Sequence, residues 1–210
     1  MKKIIIRLLA AAVLLTLTAA TLNAQNNSLS ENAKIRVRQK VAQMNDYISI
    51  IGSKKFTIGD RQYHIPKCLN LFVARGQAYE EYIDDYQTKR REGVLMQTTS
   101  TKRKGADPND QLMRNYLPRL ANLRYQNVDI SSTKWTDIQV SNIKHIEGNY
   151  YQATAYYEQT FIATNDGRYI YGDKTKKHIV CHIFLEESDA GVEWRILLGD
   201  VEASDTEIIR

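Results

Sequence analysis

Hydrophobic positions recur with a helical period in the first part of the chain. Between residues 31 and 51, apolar side chains return every three or four positions, which is typical of a helix with one buried face. A capping-box sequence at residues 28–31 precedes this segment, and Gly52 follows it as a helix stop. The residues expected on the buried face are Ile35, Val41, Met44, Ile48 and Ile51.

The next stretch predicts shorter elements. Residues 56–65 are expected to form two short strands about Gly59 and Asp60. Pro66 is then expected to open a second helix, because proline is common in the first turn. The inward-facing residues of that helix and its continuation would be Leu69, Phe72, Val73 and Tyr79.

Between residues 80 and 123 the pattern is mixed. Residues 80–91 are charged and rich in tyrosine, and their pattern does not distinguish a helix from a loop. Residues 94–101 have strand propensity, and residues 102–109 predict a polar loop. Residues 111–123 predict a helix in which Pro118 implies a break or a short second turn, with one stripe formed by Leu112, Tyr116, Leu120 and Leu123.

Beyond residue 124 the period changes to two. Turn sequences at short intervals favour antiparallel neighbours, because parallel strands need long crossovers. The chain therefore predicts one α+β domain over residues 31–210, with N-terminal helices packed on a curved antiparallel sheet. The strand segments are YQNVDI, WTDIQVSNIKHI, YYQATAYYEQTFIAT, KKHIVCHIFLEE and VEWRILLGDVEA. The last is expected to be central, facing the helices with Val192, Trp194, Ile196 and Leu198.

The first residues predict the compartment. A basic start, a short apolar run and a small residue before Gln25 describe a secretory signal peptide, residues 1–24, cut after Ala24. Residues 25–30 would be a disordered lead, and the mature chain would be periplasmic or secreted. The alternative is a membrane anchor that stays attached, since residues 4–22 are nearly long enough to span.

Charge gives little reason to expect a nucleic-acid partner. The whole chain has a formal net charge of +5, but Lys2, Lys3 and Arg7 belong to the leader, so the mature chain would carry only +2. A surplus of this size is an ordinary solubility feature.

The sequence HIVCHIFLEE places His178, Cys181 and His182 close together and suggests a metal site. On a strand, however, the two histidines lie roughly 13 Å apart at about 3.3 Å per residue. A zinc ion with ligand bonds near 2 Å cannot be shared over that distance. We therefore expect no metal and no cofactor, and Cys181 is expected in the core. The sequence is compatible with a disulfide between Cys68 and Cys181 and also with two separate buried thiols.

Tyrosine is the remaining signal. On the strand that begins at Tyr150, one face is expected to carry Tyr151, Ala153, Ala155, Tyr157, Gln159 and Phe161. Such aromatic faces usually form core, and they can also line a concave pocket. The pocket candidates are Tyr151, Tyr157, Phe161, His182 and Trp194.

Residues 125–203, including YYQATAYYEQTF and EWRILLGDVEA, resemble the nuclear-transport-factor-like (cystatin-like, SnoaL-like) α+β cone fold. The chain also resembles uncharacterised secreted proteins of Bacteroidota in YLPRLANLRY and the final LLGDVEA. The resemblance implies either a non-catalytic binding or assembly module, or an isomerase, dehydratase or cyclase that uses Asp, His and Tyr inside the cone. It carries no residue roles onto this chain.

Three functional hypotheses follow. The first is a non-catalytic module that binds a partner protein or a small apolar ligand, with a homodimer through the sheet as one option. The second is a cofactor-independent lyase or isomerase that uses His182, Tyr157 and Asp137. The third is a membrane-anchored component of envelope machinery, which requires an uncleaved leader.

Overall fold

The computed structural model describes residues 30–84, 87–99, 109–188 and 191–209. The predicted leader, residues 25–29 of the predicted lead and the capping residue Ser28 lie outside this part, as does most of the predicted 102–109 loop, whereas Ser30 of the lead begins a helix. Among the described residues, no helix is long and apolar enough to cross a membrane. The chain divides into two compact units after Ile35. In the described part of the first, Lys34 pairs with Glu31 at 2.9 Å, and the second comprises Arg36–Arg210.

Helix α1 occupies residues 30–52, as predicted. Val41, Met44, Ile48 and Ile51 are fully buried, whereas Ile35 is 38% exposed and was wrongly placed on the buried face. The helix lies against a strand of the sheet, because Ser49 Oγ donates to the carbonyl oxygen of Ile130 at 2.7 Å. Gly52 permits this approach, since a Cβ there would lie 2.5 Å from the Ile130 side chain.

Helix α2, Ile58–Leu69, replaces the two strands predicted for residues 56–65, so that prediction was wrong. A capping box starts the helix: Thr57 Oγ1 accepts from the amide of Asp60 at 3.1 Å, and Asp60 accepts from the amide of Thr57 at 3.2 Å. These bonds satisfy amides that a helix start leaves unpaired. Pro66, predicted to open a helix, lies inside this one.

The middle of the chain forms a hairpin, two short strands and a helix. A 3₁₀ turn, Val73–Gly76, leads into hairpin strands β1, Tyr79–Asp84, and β2, Gln87–Arg91. The described residues of the 80–91 segment are therefore strands, neither the helix nor the loop considered from the sequence. Strands β3, Leu95–Thr98, and β4, Asn109–Leu112, follow. The strand prediction for residues 94–101 is thereby confirmed for its central residues.

Helix α3, Met113–Ala121, is continuous, so the break predicted at Pro118 was wrong. Pro118 is exposed, and one missing backbone hydrogen bond does not end this short helix. The buried face also differs from the predicted stripe, sharing only Leu120 with it; it consists of Met113, Leu117, Leu120 and Ala121.

The second half forms the strands of the predicted antiparallel meander. They are β5 Asn127–Ser132, β6 Gln139–Val140, β7 Lys144–Glu147, β8 Tyr150–Asn165, β9 Arg168–Ser188 and β10 Gly191–Ile208. The main sheet has the order β4-β3-β10-β9-β8-β5, and β6 and β7 also pair with β8. Its pairs are antiparallel except β10 with β3. The α+β class is confirmed, and β10 is central because it pairs with both β3 and β9.

The long strands have two distinct faces. Ala153, Cys181 and Leu198 lie opposite one another in register and are buried with residues of α1 and α3. We call this face of the sheet the inner face and the opposite one the outer face. The predicted core faces of β8 and β9 are inner, as expected. On β10, Ile196 and Leu198 are buried and Trp194 packs against the core, while the side chain of Val192 lies outside the described part.

Candidate functional site

A cavity of about 290 Å³ opens where α3 and strands β3 and β4 meet the inner face of β8 and β9. This volume lies at the lower end of the range of roughly 300–1,000 Å³ typical of ligand pockets. Its lining combines six aromatic or aliphatic residues with eight polar or charged ones: Thr98, Thr99, Gln111, Tyr116, Arg119, Leu120, Leu123, Tyr125, Gln159, Phe161, Tyr171, Asp173, Thr175 and Lys177.

Strand β9 supplies one wall by simple alternation. Every second residue of this strand points inward, so Tyr171, Asp173, Thr175 and Lys177 all line the cavity. Strand β8 continues the wall with two residues, since Gln159 pairs with Thr175 and Phe161 with Asp173.

Lys177 is the most unusual residue of the cavity. It is only 6% exposed, and among the described residues the hydrogen-bond contact of its Nζ is the sulfur of Met96, at 3.9 Å. A thioether is a weak acceptor. Burial lowers the pKa of Lys177 to about 8, and the charge of Asp173 acts weakly in the opposite direction. The ammonium group is therefore desolvated without a strong partner.

Two other polar atoms near Lys177 are buried without a partner in the described part of the chain. They are Nε2 of Gln159, which lines the cavity, and Oη of Tyr157, which lies directly opposite Lys177 in register. Burial also raises the pKa of the Tyr157 hydroxyl. Each unsatisfied group costs about 1–3 kcal/mol. This end of the inner face therefore has buried polar groups whose hydrogen bonds the fold does not satisfy.

The remaining wall is aromatic and carries one further cation. The ring of Phe161 lies between Tyr125 and Tyr171, with centroid distances of 6.3 and 5.9 Å. Arg119, on α3, donates to Oε1 of Gln111 at 3.0 Å. Asp173 accepts from the hydroxyl of Thr175 at 3.0 Å. With Lys177 protonated, cationic groups outnumber the carboxylate.

The outer face holds a second polar cluster of a different kind. The hydroxyl of Tyr150 lies 2.8 Å from Nδ1 of His182, and the two rings stack at 5.9 Å with an interplanar angle of 8°. Burial lowers the pKa of His182, with Asp200 acting weakly against it. Gly199 makes room for the ring, because a Cβ there would lie 2.8 Å from Nε2 of His182. Asp200 forms an ion pair with Arg91 of the hairpin.

The structure separates the catalytic set considered from the sequence. Tyr157 points to the inner face and His182 to the outer face, because an odd number of strand positions separates His182 from Lys177, the register partner of Tyr157. Asp137 is exposed in a 3₁₀ turn, Trp135–Asp137, and not on a strand. The structure therefore does not bring His182, Tyr157 and Asp137 together in one centre.

The predicted pocket residues are also dispersed. Phe161 lines the cavity, and Tyr157 lies beneath it in the core. Tyr151 and Trp194 meet edge to face at 5.5 Å, farther along the inner face. His182 lies on the outer face and does not line this cavity.

Cys68 and Cys181 are separate, buried thiols in the structure. Burial raises the pKa of each to about 12, which leaves little reactive thiolate at neutral pH. Across the residues that the structure describes, no group of three His, Cys, Asp or Glu side chains could hold a metal ion.

Sequence reasoning missed Lys177, Asp173 and Thr175. The signal was present, because Lys177 is in phase with the inward-facing Ile179, Cys181 and Ile183. A lysine that continues an apolar face by one step predicts a buried amine.

Comparisons with protein-family models, with curated proteins and with solved structures found no match.

Proposed function

We propose that this chain is a non-catalytic binding module whose ligand is a small aromatic or apolar molecule with one acidic group. The observation that supports this most directly is the end of the inner face at the cavity, where Lys177 and Gln159 are buried without strong partners. A ligand that accepts hydrogen bonds would recover the free energy that the fold gives up there.

The chemistry of the cavity favours an anion. Lys177, Arg119 and the amide nitrogen of Gln159 are all donors, and Lys177 is mostly protonated at pH 7 because its pKa is about 8. Charge-assisted hydrogen bonds to a carboxylate are about twice as strong as neutral ones. The aromatic wall formed by Phe161, Tyr125 and Tyr171 suits a flat, apolar ligand body.

The cavity size favours a small molecule over a partner protein as the occupant. A volume of about 290 Å³ holds one small ligand. The lyase or isomerase alternative has no support from its three residues, which the sheet separates. A homodimer through the sheet stays a prediction.

The setting of this function is also part of the proposal. We propose that the domain is nuclear-transport-factor-like, with the cavity inside the cone, and that it is exported after cleavage at Ala24 into the periplasm or the medium. The α+β class and the location of the cavity on the helix-covered face support the fold assignment. The leader sequence supports export. N-terminal sequencing of the mature protein checks export, and a chain that retains residues 1–24 at the membrane would favour the anchored alternative.

Binding can be tested with 3-phenylpropionate, which combines one aromatic ring with one carboxylate. Isothermal titration at pH 7 should detect binding to the wild-type chain. Lys177→Met should weaken it about tenfold to a hundredfold, since a charged hydrogen bond contributes roughly 1.5–3 kcal/mol.

Lys176→Met is the matched control. Lys176 is the adjacent lysine, exposed and paired with Asp205 at 3.5 Å, so its loss should leave binding unchanged. Equal weakening by both substitutions would point to non-specific charge attraction. No binding of 3-phenylpropionate or related aromatic acids to the wild type would overturn the proposed ligand class.

A further inference from the structure

The amine of Lys177 has the surroundings of a nucleophile. Lys177 lines a cavity with an aromatic wall and is 6% exposed, and none of the described carboxylates forms a salt bridge with its Nζ. A desolvated lysine in such a pocket keeps a neutral fraction that surface lysines lack, which is the usual basis for imine chemistry. An anion-binding role alone would be served equally well by an arginine.

We propose that Lys177 forms a reversible imine with the carbonyl group of a small 2-oxo acid that has an aromatic or apolar side chain. This inference rests on the proposed function and adds the class of ligand that the cavity takes. In a 2-oxo acid the carboxylate adjoins the carbonyl carbon. The donors of Gln159 and Arg119 can therefore hold the carboxylate while the carbonyl faces Lys177, as all three side chains line one cavity.

The reaction balances without an oxidant or a cofactor. The neutral Nζ adds to the carbonyl carbon, and the proton lost by nitrogen passes to the carbonyl oxygen to give a carbinolamine. The C–O bond then breaks, water leaves, and a C=N bond forms. Asp173 is the carboxylate in the cavity and can carry the proton from nitrogen to the departing oxygen. Hydrolysis reverses the sequence and releases the ligand unchanged.

The test compares two ligands with the same skeleton. Phenylpyruvate carries the carbonyl group, and 3-phenylpropionate lacks it. The full mature chain is incubated with phenylpyruvate and sodium cyanoborohydride, which reduces an imine to a stable secondary amine. Intact mass and peptide mapping should then show one adduct per chain, on Lys177, and an excess of 3-phenylpropionate should suppress it.

Two variants refine the result. Lys177→Arg keeps the positive charge but removes the amine, so it should lose the adduct and retain binding of 3-phenylpropionate. Lys176→Met should keep the adduct at the wild-type level. If Lys177→Arg fails to fold, the peptide map of the wild type decides by itself.

The outcomes separate this inference from the proposed function. Adducts scattered over exposed lysines with Lys177 unmodified would overturn the imine, and continued binding of 3-phenylpropionate would leave the binding role intact. A wild-type chain that neither binds 3-phenylpropionate nor reacts with phenylpyruvate would overturn both.

Discussion

Lys177 and His182 lie five positions apart on β9, and both carry a buried ionisable group on a long strand of the same sheet. Burial lowers the pKa of each. They differ in what surrounds the polar atoms. His182 is hydrogen-bonded to Tyr150 and stacked on its ring, whereas the described contact of the Lys177 amine is a thioether.

The difference separates a structural polar group from one available to a ligand. On the outer face, Nδ1 of His182 is already hydrogen-bonded to Tyr150, and Gly199 lies so close to the ring that a Cβ there would be 2.8 Å from Nε2. On the inner face, Lys177, Gln159 and Tyr157 are buried with capacity unused. A low exposed fraction alone would have ranked all of them as equivalent core residues.

The largest effect should come from the packing of the inner face itself. Ile196 is 5% exposed and lies opposite Ile183. Ile196→Ala should lower the free energy of unfolding by roughly 2–5 kcal/mol, through lost burial and the cavity left behind. Urea melts of the variant and the parent measure this difference.

The neighbouring Leu197 provides the outer-face counterpart. Its side chain is only half-buried, so Leu197→Ala should cost about 1 kcal/mol. Equal losses for the two variants would show that the outer face is covered as completely as the inner face, and the comparison would fail.

A gain in stability is expected from removing the buried charge. Below pH 8, Lys177 is protonated in the folded and unfolded chains, and the folded chain bears the full cost of burying the ammonium. Between pH 8 and 10.5 the folded chain has released that proton while the unfolded chain still binds it, so wild-type stability rises with pH. Lys177→Met should therefore stabilise the protein by roughly 3 kcal/mol at pH 7, with the gain shrinking towards pH 10.5.

Urea melts of both chains at pH 7 and pH 10.5 measure this gain. Comparing the two chains at the same pH cancels the pH-dependent contributions that do not involve Lys177. Lys176→Met should change stability by less than about 0.5 kcal/mol. Destabilisation by Lys177→Met at pH 7 would mean that the amine has a strong partner after all.

The smallest effect distinguishes two tyrosines on β8. Tyr150→Phe removes the hydroxyl bonded to His182 and should cost about 0.5–1.5 kcal/mol. Tyr157→Phe removes a buried hydroxyl that has no partner among the described residues, so it should be neutral or slightly stabilising. Thermal melts of the two variants side by side provide the readout. A larger loss of stability for Tyr157→Phe would mean that the Tyr157 hydroxyl, and not that of Tyr150, has the stronger hydrogen-bond partner.

Strand alternation made the core of β8 and β9 predictable, since residues such as Ala155 and Ile179 fall on one face by a period of two. The same rule could have found Lys177. The rule fails on β10, where the register shifts between Leu198 and Val201 and both residues are buried. A bulge changes which face the later residues occupy, and the local sign of it is Gly199, a glycine inside the strand at the register shift.

Other errors came from features that have two local meanings. Residues 56–60 contain glycine and aspartate, which suit a turn, yet Thr57 and Asp60 form a capping box. The cavity could not be predicted because it depends on how α3 meets β8 and β9, and residues such as Arg119 and Lys177 are far apart in the chain. Their proximity is a property of tertiary packing and not of local sequence pattern.

The parallel pairing of β3 with β10 has a consequence for the order of folding. Strand β3 reaches the centre of the sheet through Met96 opposite Val201, and the amide of Leu95 donates to Asp200, 105 positions later. Arg91 meets the same carboxylate. During synthesis, Arg91 can pair with Glu81 and β3 with β4, but their contacts with β10 cannot form until that last strand has emerged. Contacts of such long sequence separation slow folding and leave strand edges open to other chains in the meantime. The amide of Leu95, whose acceptor is Asp200, should therefore be among the last to acquire protection from amide hydrogen exchange during refolding.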